Sequence, residues 1–282
     1  MVPTRLVVHA LVREDGSVDA AELYEVAAAL GMTDQQVRLC VKRLAAEGRF
    51  TQEGRGRRAV LRLTGAADAA AAGLPLVPEV DFVRHAYRQD GGLEPWDGVW
   101  HLYAFAVPES ARTARDALRD TLTALGAAPV QGGLYVTPND IGAYVRARAA
   151  ELGVSDGLTC LSSRDLTVGG TTDPVALAAR LWPLEEIAGR YAALHALAAG
   201  SPGPGPADGP GAPLAHAVTL AAAFGEAMLP DPLLPPELLP DPWPGAVARA
   251  AAATAWARLR SAADPDGPRL FRLYAEAVTP PP

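Results

Sequence analysis

An α+β chain of more than one domain is what this sequence predicts, and three observations carry the expectation. Helical periodicity fills the first 48 residues and leads into a short basic hairpin. A β-α-β-β-α-β order of patterns occupies the middle. Beyond a Gly/Pro-rich stretch the apolar spacing is helical again. At 282 residues the chain exceeds one ordinary domain, and its 49% apolar composition is enough to bury a sizeable core.

In the N-terminal block, residues 1–65, Leu6, Val7, Ala10 and Leu11 give a first helical stripe that stops near Asp15-Gly16. Asp19 can cap a second helix, with Leu23, Val26, Ala27 and Leu30 on one face and Gly31 as its stop. Thr33-Asp34-Gln35-Gln36 reads as a capping box that opens a third helix running to about Glu47. Phe50–Gln52 and Ala59–Leu63 are strand candidates around the tip Gly54-Arg55-Gly56-Arg57-Arg58. Three helices followed by a basic hairpin are the order of a winged helix-turn-helix.

Residues 66–95 read as a connector with a helix around Val80–Arg88. From Trp96 to about Ala199 the patterns are a strand (Val99–Val107), a helix (Ser110–Leu125) and two strands (Ala128–Gln131, Leu134–Thr137). A helix from Pro138-Asn139 to Leu152 and a strand (Leu158–Ser162) follow, a ferredoxin-like βαββαβ block. Asp173 caps a further helix, broken at Pro183. Residues 200–213 form a Gly/Pro-rich linker, and 214–282 a mostly helical C-terminal domain. In it, helices at Leu214–Met228 and Ala246–Arg260 flank a proline-dense segment, Leu229–Gly245, whose prolines call for an extended path.

Net charge is −7, yet residues 36–63 carry eight Arg or Lys against two Glu, so a compact basic patch sits on an acidic body. On the third helix Val37, Cys40, Val41 and Leu44 fall at i, i+3, i+4 and i+7 and turn toward the core. Gln35, Arg38, Leu39 and Lys42 then face outward, with Gln36 and Arg43 at the flanks. Gln and Arg pair with adenine and guanine edges in the major groove, and a recognition helix presents its N-terminal half to them. Arg55, Arg57 and Arg58, spaced by glycines, suit contacts to phosphates. The predicted partner is therefore double-stranded DNA.

No catalytic, metal-binding or cofactor motif emerges, because the five histidines are scattered and lack ligand spacing. Cys40 and Cys160 are too few for a disulfide framework and read as buried, inert thiols. No signal-peptide pattern and no apolar run of bilayer length is found, which predicts a cytoplasmic protein without a membrane partner. Trp96 and Trp182 read first as apolar anchors and second as liners of an effector pocket. Arg112, Arg115 and Arg119 share a helix face, where pairing with Asp116 and Asp120 or binding of an acidic effector would account for them.

Four stretches resemble the phenylacetic-acid-operon repressor family, the PaaX-like regulators. They are Val37-Arg38 with Arg43-Leu44, Gly56-Arg57-Arg58 and Leu61-Arg62-Leu63-Thr64; Trp96-Asp97-Gly98-Val99-Trp100 with Arg115-Asp116-Ala117-Leu118-Arg119; Ala179-Arg180-Leu181-Trp182; and Asp231-Pro232-Leu233-Leu234-Pro235 with Trp243-Pro244-Gly245. The resemblance implies a homodimeric regulator, usually a repressor, that binds a partly palindromic operator. It also implies release by an acyl-CoA, phenylacetyl-CoA in the name-giving members; the alternative reading is a DNA-binding adaptor without a small-molecule effector. The family usually has Asp before Ile-Pro-Glu at the end of the first middle strand, whereas here Ala106 precedes Val107-Pro108-Glu109. The middle block also resembles the small metal-dependent nucleases of CRISPR adaptation, but Ala106 stands where their metal-binding Asp would be.

Overall fold

A computed structural model of the chain describes residues 2–64, 80–200, 209 and 211–278; residues 65–79 of the connector region and 201–208 and 210 of the linker fall outside the described residues. In chain order the first elements are α1 (Thr4–Ala10), β1 (Ser17–Asp19), α2 (Ala20–Ala29), α3 (Asp34–Ala46), β2 (Phe50–Glu53) and β3 (Val60–Leu63). Then come α4 (Val80–Asp90), β4 (Trp100–Phe105), α5 (Arg112–Ala124), β5 (Ala128–Gln131), β6 (Leu134–Thr137), α6 (Gly142–Glu151) and β7 (Leu158–Ser163). The remainder is α7 (Pro174–Leu181), α8 (Leu184–Ala199), α9 (Ala212–Met228), α10 (Pro244–Ala262) and α11 (Leu270–Val278). Two antiparallel sheets among these helices make the chain α+β, as the sequence predicts. It divides into two compact units, one of Met1–Tyr87, Arg190–Leu229 and Gly245–Pro282, the other of Arg88–Gly189 and Pro230–Pro244.

In the first unit, local signals set the helix ends. Asp19 accepts a hydrogen bond from the Glu22 amide (3.0 Å) and starts α2. Gly31 and Gly48, at φ 73° and 68°, provide the left-handed residues that stop α2 and α3. A three-stranded sheet, in the order β1-β3-β2, backs the helices. β1 was not expected: three residues are too few to show alternation, and Ser17–Asp19 is a strand only because β3 lies beside it.

The same unit brings later segments against the first block. Gly211 leaves room for the α2 backbone, since a Cβ there would stand 2.7 Å from the Glu25 carbonyl carbon. The Arg269 amide donates to the Val12 carbonyl (3.0 Å), and Arg272 grips Glu14 with two bonds of 2.6 and 3.1 Å. Further in, Trp256 stacks on Tyr274 at 4.2 Å, and the Tyr274 hydroxyl donates to the Ala221 carbonyl (3.1 Å). Helix α11 was not foreseen. It holds Tyr274 in this core while Arg272 faces Glu14.

In the second unit the sheet order is β5-β6-β4-β7 with every pair antiparallel, and the chain order of the block is β4-α5-β5-β6-α6-β7. Tyr103 and Tyr135 on one face pack with Leu118 and Leu122 of α5 and with Val145 and Ala149 of α6. Trp100, Leu102 and Val136, offset by one residue along the strands, are also buried, so this sheet is covered on both faces. β7 is an edge strand whose central residues are exposed, so Cys160 is exposed and not the buried thiol expected. Cys40 is half-buried, and burial pushes its thiol pKa up.

The proline-dense segment is more than an extended path. Leu233 takes φ 49°, unusual for a leucine, and its backbone is held from both ends. Its amide donates to Asp231 (2.8 Å), while its carbonyl accepts from Asn139 (2.9 Å) and Gln89 (3.2 Å). Asn139 also reaches the Pro232 carbonyl (3.1 Å), which is why Pro138-Asn139 forms a loop and α6 starts later, at Gly142. Pro244 and Gly245 belong to α10 instead, because a proline in the first turn forfeits no helical hydrogen bond.

Gly126, at φ 84°, sits under this segment: a Cβ there would fall 2.7 Å from the Pro232 oxygen and 2.8 Å from its Cα. Gly126→Ala is expected to cost roughly 2–3 kcal/mol, from left-handed strain and displacement of the Pro232 backbone. Urea unfolding measures this, and an unchanged midpoint would contradict the close approach.

Candidate nucleic-acid interface

The site is built on α3. Its N-terminus is a complete capping box: the Thr33 hydroxyl accepts from the Gln36 amide (3.3 Å) and Gln36 Oε1 accepts from the Thr33 amide (2.7 Å). Val37 and Leu44 are buried and fix the rotation of the helix. At roughly 100° per residue, Gln35, Leu39 and Lys42 lie in the middle of the outer face, with Arg38 on one side and Arg43 on the other. All five are exposed. Cys40 and Val41, expected in the core, are only half-buried because the inward stripe narrows to Val37 and Leu44.

Gln36 differs from its expected role. Its side-chain oxygen also accepts from the Thr33 hydroxyl (3.0 Å), so the carbonyl needed for bidentate pairing with adenine is committed to the cap. Gln36 therefore shapes the helix start, and Gln35 beside it presents the exposed amide. The Arg38 Nε donates to the Asp34 carbonyl at 3.4 Å, a weak tether along the helix.

On the Arg38 side lies the β2–β3 hairpin. A 3-10 turn over Gly56–Arg58 forms its tip, and Arg55, Arg57 and Arg58 are all exposed. Arg57 turns back onto the helices. Its guanidinium lies 5.3 Å from the centre of the Tyr24 ring on α2, and its Nη2 is 3.6 Å from Asp34 Oδ2 at the start of α3. Of the three arginines, Arg57 therefore ties the hairpin to α3, while Arg55 and Arg58 form no ion pair among the described residues. Lys42 and Arg43 form none there either.

On the Arg43 side, α1 and α3 border a groove of about 410 Å³ lined by Thr4, Arg5, Leu39, Cys40, Arg43 and Glu47. Arg5 pairs with Glu47 at 2.9 Å. On α1, burial first, then Arg5, Arg49 and Arg269, hold the His9 pKa below the ordinary histidine value against Glu47. Sequence reasoning missed Arg5 and Tyr24. Arg5 precedes the first apolar stripe and Tyr24 sits next to Leu23, neither with a sequence signal of its own.

The residues suggested for an effector pocket all lie in the second unit. Trp96 meets Trp100 edge-on at 5.2 Å, and Trp100 stacks with Trp182 at 6.4 Å. Both outer indole N–H groups are satisfied by backbone, Trp96 to the Val99 carbonyl (3.1 Å) and Trp182 to the Gly126 carbonyl (2.9 Å). Each of these indole N–H groups is thus engaged by a backbone carbonyl. Arg112, Arg115 and Arg119 on α5 pair with carboxylates: Arg115 with Glu109 (2.8 Å), Arg119 with Asp116 (3.1 Å), Arg112 with Asp116 (3.8 Å). Each arginine of that ridge thus has a carboxylate neighbour.

Three family profiles match the chain: "PaaX-like protein" over residues 4–67, "PaaX protein central Cas2-like domain" over 93–177, and "PaaX-like protein C-terminal domain" over 182–265. No curated protein matches significantly. Among solved structures, "Uncharacterized protein Rv0674 from Mycobacterium tuberculosis" is similar, with 24% identity, a TM-score of 0.56, and coverage of 93% of this chain and 98% of its own. At that identity the likeness is one of fold.

Because Arg57 and Asp34 are both about half exposed, their pair contributes little to global stability, about 0.5 kcal/mol or less. Arg57→Ala is instead expected to loosen the hairpin tip. Amide exchange at Arg58 and Ala59, the latter bonded to the Gly56 carbonyl, should accelerate several-fold while the unfolding midpoint stays put. Unchanged exchange at the tip would show that Arg57 does not hold it.

Proposed function

The chain belongs to the PaaX-like family, and from that premise we propose that it is a DNA-binding transcription regulator. The observation that carries the proposal is the outer face of α3. Gln35, Arg38, Lys42 and Arg43 are exposed there beside a hairpin bearing Arg55 and Arg58, on a protein whose net charge is −7. We read α1-β1-α2-α3-β2-β3 as a winged helix-turn-helix, α3 as the recognition helix and the β2–β3 hairpin as the wing. The β4-α5-β5-β6-α6-β7 block we read as ferredoxin-like. The layout we favour runs in sequence: winged helix 1–65, connector 66–95, middle domain with its following helix 96–199, linker 200–213 and C-terminal domain 214–282.

In this reading two copies place their α3 helices in successive major grooves, about 34–36 Å apart, on a partly palindromic operator. Arg38 pairs with a guanine edge, Gln35 faces an adenine edge, Lys42 and Arg43 extend the contact, and Arg55 and Arg58 meet phosphates. Arg57 keeps the wing in register with α3. Repression of an adjacent catabolic operon in the cytoplasm, relieved by an acyl-CoA such as phenylacetyl-CoA, completes the proposal. No helix among the described residues is long and apolar enough to cross a membrane.

Selection of bound duplexes from a random pool tests the core of this reading. A partly palindromic motif should be enriched, bound steeply less well as salt rises, and released in part by a CoA thioester. Failure to retain any duplex at low salt would overturn it. Arg38→Ala should weaken the selected site by roughly 1–3 kcal/mol and relax preference at one base position, which repeating the selection would reveal. Arg55→Ala and Arg58→Ala should weaken all sequences alike. Each should flatten the logarithmic salt dependence by about one unit per subunit, and an unaltered slope would remove these arginines from the phosphate contact.

A further inference from the structure

Leu39 stands out on the outer face of α3. It is 48% exposed, and the other exposed large apolar side chains among the described residues, such as Leu93, Leu161 and Leu229, all lie outside residues 2–64. Val37 and Leu44 already supply the inward anchors of the helix, so the core does not use Leu39. Its neighbours on the face are Gln35 four residues before it, Arg38 beside it, Lys42 three after and Arg43 four after. An apolar group of this size, ringed by donors for phosphate and base edges, matches one feature of the major groove. Of the four bases only thymine presents a methyl group there, and apolar side chains recognise it by contact.

We propose that Leu39 is a specificity-determining residue that packs on the 5-methyl group of a thymine in each half-site, next to the base read by Arg38. The inference rests on the DNA-binding reading above and adds a named base preference to it. The gain is the burial of one methyl group against one leucine. At about 0.8 kcal/mol for a group of that size, it amounts to about fourfold in affinity per contact, and about sixteenfold when both subunits make it.

The experiment replaces thymine by deoxyuridine, which removes the methyl group and leaves every hydrogen-bonding atom in place. On the duplex enriched by selection, each thymine is replaced in turn and the affinity measured by fluorescence anisotropy for the native protein, Leu39→Ala and Leu39→Met. One thymine per half-site should be found whose replacement costs the native protein about fourfold and Leu39→Ala nothing. Leu39→Met, still apolar, should keep part of the discrimination. Because the side chain is exposed, thermal unfolding of both variants should match the native protein.

Sequence-selective binding with no thymine position coupled to Leu39 would overturn the inference and leave the regulator reading intact. Failure to bind any duplex would overturn the reading itself. A Leu39→Ala protein that reads deoxyuridine and thymine as the native does, but sediments as a smaller species, would assign Leu39 to contact between copies and likewise overturn the inference.

Discussion

The burial of Val37 and Leu44, seven residues apart, is the constraint on which the rest depends. Withdrawing each from water stabilises the first unit by roughly 2 kcal/mol, and together they leave α3 one rotation about its axis. A turn of one residue step, about 100°, would push Arg38 toward the core and uncover Val37. The capping box at Thr33 and the left-handed Gly48 fix where the helix starts and stops, so charge and apolar contact are set in a defined frame. The hairpin is then added from the side through Arg57, at Tyr24 and Asp34.

Much of this was legible in the sequence, for a physical reason. Caps, glycine stops and apolar spacing act over a few residues, and Thr33-Asp34-Gln35-Gln36, Gly31 and Gly48 carry their signals within one turn of where they operate. The strands Ala128–Gln131 and Leu134–Thr137 are found at their expected bounds around Gly132-Gly133. What stayed hidden depends on partners distant in the chain. β1 exists through pairing with β3, and Asn139 is drawn from a helix start by carbonyls 93 and 94 residues away. Cys160 is exposed because its strand ends the sheet, which no local pattern states. Within the candidate site, the outer face of α3 was readable from spacing. The capture of Gln36 by the cap and of Arg57 by Tyr24 and Asp34 required side-chain positions.

The second unit shows how ligand-like residues can be absorbed by packing. Three tryptophans in contact, with two indole N–H groups bonded to backbone, form a seam at the start of β4. Leu233 is held in an unfavourable backbone region by Asp231, Asn139 and Gln89 together, the over-determination that such a conformation requires to persist. The proline-dense stretch thereby acts as an inserted wedge with fixed contacts, and its sequence specificity follows from those contacts.

The pairing of Arg272 with Glu14 spans 258 positions, and the Arg269 amide beside it meets Val12. During synthesis on the ribosome, the surface around Val12, Glu14 and α2 therefore emerges long before its covering segments exist. The first block must wait, with part of its apolar back uncovered, while residues 88–189 of the second unit are made. A nascent chain halted before α9 would therefore expose apolar surface that the finished protein covers.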